Sequence, residues 1–209
     1  MTSDRAAGDR AFGVDGDFAV PFPVVALIAS AGGLDALLRV LAPLPADLPA
    51  AVLVALHQSP DQPSRLAGIL AQRTRLDVQT ATADSELRPG QILVVPPGRH
   101  LLVTSQARIG LIESGALPPA RPSADLLLAT LAVTCGPRAL AVILTGMGHD
   151  GQAGVRAITY CGGTAIAQDQ ATSKFFARPS AAIDTHQISQ ILALDDIATA
   201  IIAHIATAS

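Results

Sequence analysis

Two apolar patterns alternate along this chain. The unbroken runs Val24-Val25-Ala26-Leu27-Ile28-Ala29 and Ala51-Val52-Leu53-Val54-Ala55-Leu56 are rich in branched side chains and lack polar alternation, which predicts strands buried on both faces. Each is followed by a bend or loop and then by helical apolar spacing, over 34–41 after the first and over 64–73 after the second, with 58–63 as the intervening loop. The alternation returns with a strand over 139–144, a helix over 152–160 ended by Gly162-Gly163, a strand over 164–168, a loop over 169–173, a short segment 180–184, a strand over 188–192 and a closing helix over 197–206. Ser123 stands where an N-cap belongs for a helix over 124–135, with Asp125 in its first turn.

Residues 77–113 break the rhythm. Short extended runs at 78–81, 91–95, 101–104 and 107–112 are punctuated by Arg88-Pro89-Gly90 and Pro96-Pro97-Gly98, which predicts a locally antiparallel insertion with a hairpin. A proline-rich connector follows at 117–122. The expected fold is therefore α/β: a doubly wound, mostly parallel sheet flanked by helices, with a small antiparallel hairpin insertion.

Composition agrees with this fold and narrows the function. Hydrophobic residues make up 50% of the 209 residues and aromatic ones only 3%, so the core must be aliphatic, as in a sheet covered on both sides. A net charge of −3, with both signs mixed, argues against nucleic acid as a partner. No apolar run approaches the roughly 20 residues that span a bilayer, so no membrane insertion is expected. Residues 1–17 are polar and lack the apolar core of a secretory signal, which makes 1–23 an expected disordered leader and 24–209 the domain. Cys135 and Cys161 lack metal-ligand spacing and are expected as buried thiols in a cytoplasmic protein.

Three strand ends offer chemistry. Ser30 follows the first strand in Ser-Ala-Gly-Gly, His57 follows the second, and Asp150 lies in the loop Thr145-Gly146-Met147-Gly148-His149-Asp150-Gly151 after the strand over 139–144. A hydroxyl, an imidazole to take its proton and a carboxylate to orient the imidazole are the groups that acyl transfer needs. The N–H of Ala31 is the best placed oxyanion donor. Each group also has a plainer reading: Ser30 or Asp150 as a helix cap, His57 as a satisfied strand-end histidine, and His100 or His149 as the working base instead. The serine loop matches neither Gly-x-Gly-x-x-Gly nor Gly-x-Ser-x-Gly, because Ile28 stands where the second pattern begins.

The residues resemble the catalytic domain of the chemotaxis methylesterase (CheB) family over roughly 24–202. The resemblance runs through Ala29-Ser30-Ala31-Gly32-Gly33, Leu48-Pro49-Ala50, His57 with Ser59-Pro60-Asp61, Val95-Pro96-Pro97-Gly98-Arg99-His100-Leu101, Arg121-Pro122-Ser123-Ala124-Asp125, Leu144-Thr145-Gly146-Met147-Gly148-His149-Asp150-Gly151 and Ala167-Gln168-Asp169-Gln170-Ala171-Thr172-Ser173. It implies Ser30 as nucleophile, His57 as general base and Asp150 as the group that orients it, with the Ala31 and Met147 N–H groups near the oxyanion. Gly32, His100 and Arg178 are expected in the substrate's vicinity. The implied substrates are glutamate γ-methyl esters on the cytoplasmic helices of a methylated chemoreceptor or of another methylated protein, with glutamine deamidation as a second activity and no metal or organic cofactor.

The chain also departs from the family. Its glycine two residues before the serine is Ile28 here, its glutamine before the histidine is Leu56, and its Gly-Met-Pro is Ala177-Arg178-Pro179, which adds a charge near the expected rim of the site. With 23 residues ahead of the first strand, no receiver domain is expected, which leaves either a stand-alone enzyme without that switch or regulation by a separate response regulator. A second reading, motivated by Ile28 and Arg178, is a catalytically impaired module that docks a helical protein partner. A nucleotide-binding reading is weaker, since the glycine spacing is wrong and no acidic residue ends the second strand.

Overall fold

The computed structural model describes residues 20–58, 64–113 and 122–208. Residues 1–19 of the expected leader, most of the loop at 58–63 and the connector up to residue 121 lie outside them, whereas Val20, counted in that leader, is buried in the core and its N–H donates to Thr134 O. Strands β1 (Val24–Ala29), β2 (Ala51–Leu56), β3 (Asp77–Thr80), β4 (Gln91–Val94), β7 (Ala139–Ile143), β8 (Thr164–Gln168) and β9 (Gln190–Leu192) form one sheet in the order β3-β4-β2-β1-β7-β8-β9. Every pairing in it is parallel. A separate antiparallel pair joins β5 (Arg99–Val103) to β6 (Ile109–Glu113).

Alternate residues of β1 point to opposite faces, as the strand period requires. Val25, Leu27 and Ala29 pack with α1 (Gly33–Leu41), α2 (Leu66–Ala71) and α6 (Ile197–Ala208). Val24, Ala26 and Ile28 pack with α3 (Ala124–Cys135), α4 (Gln152–Tyr160) and the β5–β6 hairpin. Both faces are thus sealed, and all six residues of β1 are buried. Gly33 lets α1 lie directly on the sheet: a Cβ there would come within 2.6 Å of Ala29 Cβ and 2.8 Å of Leu56 Cδ1. Gly154 does the same for α3 against α4, where a Cβ would meet Leu128 Cβ at 2.5 Å.

The antiparallel insertion is smaller than the sequence pattern suggests. Only β5 and β6 form the hairpin, whereas β3 and β4 join the main sheet in parallel with each other and with β2. All four residues of β4 are buried, which requires a covered position inside a sheet rather than a half-wet hairpin arm. The chain between β3 and β4 crosses by pairing with the hairpin, through Leu87 N–H to Ala107 O (2.9 Å) and Ile109 N–H to Ser85 O (2.8 Å). Segment 180–184 belongs to a helix that begins earlier, α5 (Ala177–Ile183). Cys135 and Cys161 are free thiols, the first buried and the second half-buried at the end of α4.

Candidate active site

The central strand β1 lies between β2 and β7, and the chain leaves it toward different sides of the sheet. Such a switch point opens a crevice at the carboxyl ends of the strands. Ser30 is the first residue beyond β1 and His57 the first beyond β2. Their strands run in register with Ala29 opposite Leu56, and His57 N–H donates to Ala29 O at 3.3 Å. Ser30 and His57 line one cleft of about 400 Å³, with Gly32, Thr145, Gln168 and Lys174 also in its wall.

Ser30 does not cap α1. The N-cap is Gly32, in the left-handed region at φ 74°, and no side chain bonds to the helix start. The backbone of Ser30 is pinned instead, its N–H to Thr145 O (3.1 Å) and its carbonyl to Gly33 N–H (2.8 Å), so the hydroxyl is spared for other work.

The His57 imidazole is half-buried, and its buried Nε2 has no hydrogen-bond partner among the described residues. Burial is the main influence that lowers its pKa below the ordinary histidine value, and the Arg178 charge adds to it. The Asp150 charge and a hydrogen bond with the Pro122 backbone act the other way. His57 is thereby held toward the neutral form that can accept a proton.

Asp150 follows β7, the other neighbour of β1. It does not cap α4, whose first N–H groups, those of Gly151 and Gly154, donate to Asp125 Oδ1 instead. Its carboxylate accepts from Ala124 N–H (2.7 Å), Asp125 N–H (3.1 Å) and the Ser123 hydroxyl (3.3 Å) at the start of α3. Among the described residues, it acts on His57 through its charge rather than by a hydrogen bond.

The other expected site residues divide. Gly32 lines the cleft, and the Ala31 carbonyl accepts from the Thr145 hydroxyl at 3.2 Å. Met147 is 60% exposed beside the site. His100 is buried and does not line the cleft; its Nδ1 accepts from Ser123 N–H at 3.0 Å, so it braces the start of α3. Arg178 corrects the expectation of a charge at the rim: it is 3% exposed and packs beneath Gly146. Ile28 is fully buried in the core against α3 and α4, away from the cleft, while Leu56 lines it.

Sequence reasoning gave no role to the clamp under the cleft. Buried Thr145 exchanges bonds with Phe175 and reaches Ala31 through its hydroxyl, and its N–H donates to Gln168 Oε1 at 2.8 Å. Gln168 in turn donates to Thr172 O at 2.9 Å. This network ties the serine loop to residues 172–175. The signals for it were that Thr145 and Gln168 are polar residues at the ends of apolar strands and that both fall within motif blocks of the family resemblance.

Among the described residues, no group of three or more His, Cys, Asp or Glu could hold a metal ion, and no helix is long and apolar enough to cross a membrane.

A doubly wound α/β domain with a cleft at its switch point lined by a serine and a histidine is an architecture found in many enzymes. The chain belongs to the CheB methylesterase family, whose model matches residues 25–201. It is 42% identical over 184 residues to a protein-glutamate methylesterase/protein-glutamine glutaminase of Moorella thermoacetica, covering 86% of this chain and 43% of that one. It is 39% identical over 181 residues to the protein-glutamate methylesterase FrzG of Myxococcus xanthus, covering 87% and 54%. The chain thus spans about half the length of these relatives. The crystal structure of the Thermotoga maritima CheB methylesterase catalytic domain superposes with a TM-score of 0.83 at 30% identity, covering 88% of this chain and 99% of that one.

Proposed function

We propose that this chain is a protein-glutamate methylesterase that works through Ser30, His57 and Asp150. The observation that carries the reading is that Ser30 and His57 directly follow two neighbouring parallel strands and line one cleft, while Asp150 lies in the loop that follows the strand on the other side of β1.

The cycle follows from the groups present. Ser30 Oγ attacks the γ-carbonyl carbon of a glutamate methyl ester while His57 Nε2 takes the hydroxyl proton. Negative charge then develops on the carbonyl oxygen, toward which the Ala31 and Met147 N–H groups donate. The proton on His57 passes to the leaving methoxide, methanol departs and Ser30 carries the acyl group. Water, deprotonated by His57, attacks the ester, the bond to Ser30 Oγ breaks as the proton on His57 returns to that oxygen, and the released acid ionises to a glutamate carboxylate. Asp150 supports the imidazolium through its charge. The same acyl-enzyme would form from a glutamine amide with loss of ammonia, the second activity in the name of the Moorella relative.

The substrate we infer is a methylated chemoreceptor, met on its cytoplasmic helices, with a separate response regulator as the regulatory partner. Ile28 and Arg178 lend no support to a docking module, since both are buried. The test is methanol release from methylated chemoreceptor membranes. Release by the wild type and none by Ser30→Ala is the expected result, and equal release by both would overturn the assignment of Ser30.

A further inference from the structure

Arg178 is a buried charged group beside this site that the cycle above leaves unused. It stands in the first turn of α5, its N–H donates to Gly146 O at 3.0 Å, and a terminal nitrogen reaches Met147 O at 3.4 Å. Its Nε is buried and makes no hydrogen bond. A guanidinium is an obligate cation whose N–H groups can only donate, so burying one with donors unmade calls for a compensating acceptor.

The neighbouring carboxylates do not fill that need. Asp150 and Asp125 favour the charge of Arg178 against its burial, but their oxygens are taken by the N-termini of α3 and α4, and neither bonds to the guanidinium among the described residues. What Arg178 does approach is the nucleophile. A Cβ built on Gly146 would lie 2.8 Å from Ser30 Cβ and 3.2 Å from Arg178 Nε, so the guanidinium and the serine flank one point. The missing side chain of Gly146 is what permits this approach.

We propose that Arg178 is an anion-binding residue of the Ser30 site, pairing with the negative charge that the ester's carbonyl oxygen gains on attack and that the product keeps as a carboxylate. The inference rests on the esterase reading for its substrate. A neutral ester gains little from a cation in the ground state, whereas the tetrahedral intermediate and the carboxylate gain much, so Arg178 contributes to turnover and to product retention rather than to ester binding. It also gives the site a selectivity for acyl groups that become anionic, at a position where the family pattern has an uncharged methionine.

The experiment is an NMR titration with N-acetylglutamate α-amide, whose one charged group is the product carboxylate. The wild type is expected to bind it, Arg178→Met to bind it at least about tenfold more weakly, and Arg178→Lys to fall between, since a lysine keeps the charge and loses the fork. The neutral γ-methyl ester of the same compound, titrated into Ser30→Ala with and without Arg178→Met, is expected to bind alike. No carboxylate binding by the wild type, or equal binding by wild type and Arg178→Met, overturns the proposal. Should Arg178→Met fail to fold, Arg178→Lys decides on the same comparison. Ester turnover by the wild type is read separately: turnover with Arg178-independent carboxylate binding sinks this inference alone, and Arg178-dependent binding without turnover sinks the esterase reading alone.

Discussion

Asp125 and Asp150 cap each other's helices. Asp150 accepts from the Ala124 and Asp125 N–H groups at the start of α3, and Asp125 Oδ1 accepts from the Gly151 and Gly154 N–H groups (3.0 and 2.8 Å) at the start of α4. Each carboxylate therefore meets the positive end of the other's neighbouring helix, and the pair locks α3 to α4 beside the cleft.

Both residues should then matter for stability. Asp125→Ala is expected to cost about 1–2 kcal/mol, the scale of a lost helix cap, and Asp150→Ala a similar amount. Urea denaturation of the single and double variants is the measurement. The double variant should lose less than the summed single losses, because the pair acts as a unit.

Ser30→Ala should separate chemistry from folding. The hydroxyl caps nothing, so the midpoint of thermal unfolding should hold, while ester turnover should fall at least about a thousandfold. A serine-directed fluorophosphonate should label the wild type and not the variant, as intact-mass spectrometry would read.

The acid limb of the pH profile reports His57. Its pKa is lowered, chiefly by burial and then by Arg178, so the neutral base survives below the ordinary histidine range and activity is lost only as the pH falls through that lowered value. Arg178→Met removes one lowering influence and should move the limb to higher pH. Asp150→Asn removes a raising influence and should move it lower. Shifts in the opposite senses, measured in kcat/KM against pH, would contradict this placement of charges.

Gly33 should tolerate no side chain. A Cβ at 2.6 Å from Ala29 Cβ forces α1 off the sheet, and Gly33→Ala is expected to destabilise by about 1–3 kcal/mol, the scale of overpacking. Ser30 sits on the same turn, so turnover should drop with stability. Calorimetric unfolding and kcat, measured together, test both halves.

Much of this was legible in the chain because local chemistry dictated it. The apolar runs at 24–29 and 51–56 could only be strands sealed on both faces, Ser123 was a cap by its position and is one, accepting from Leu126 N–H at 3.3 Å, and helix 152–160 fell where the apolar spacing put it. Ser30, His57 and Asp150 stood out because each polar group ended a strand or opened a helix.

What the sequence could not decide was which strands meet. Apolar runs carry no address, so β3 and β4 read like hairpin arms until the burial of β4 placed them in the parallel sheet. Side-chain partners across helices were likewise hidden: Asp125 and Asp150 each read as a local cap, and only packing of α3 on α4 made them reciprocal. Arg178 shows the same limit. A charge after Ala177 reads as lying at the rim of the site, and it takes the fold, which brings Gly146 over the end of β1, to bury that charge beside Ser30. Periodicity and turn chemistry are local and survive in one dimension, whereas burial and charge pairing belong to contacts between distant segments and exist only once the chain has closed on itself.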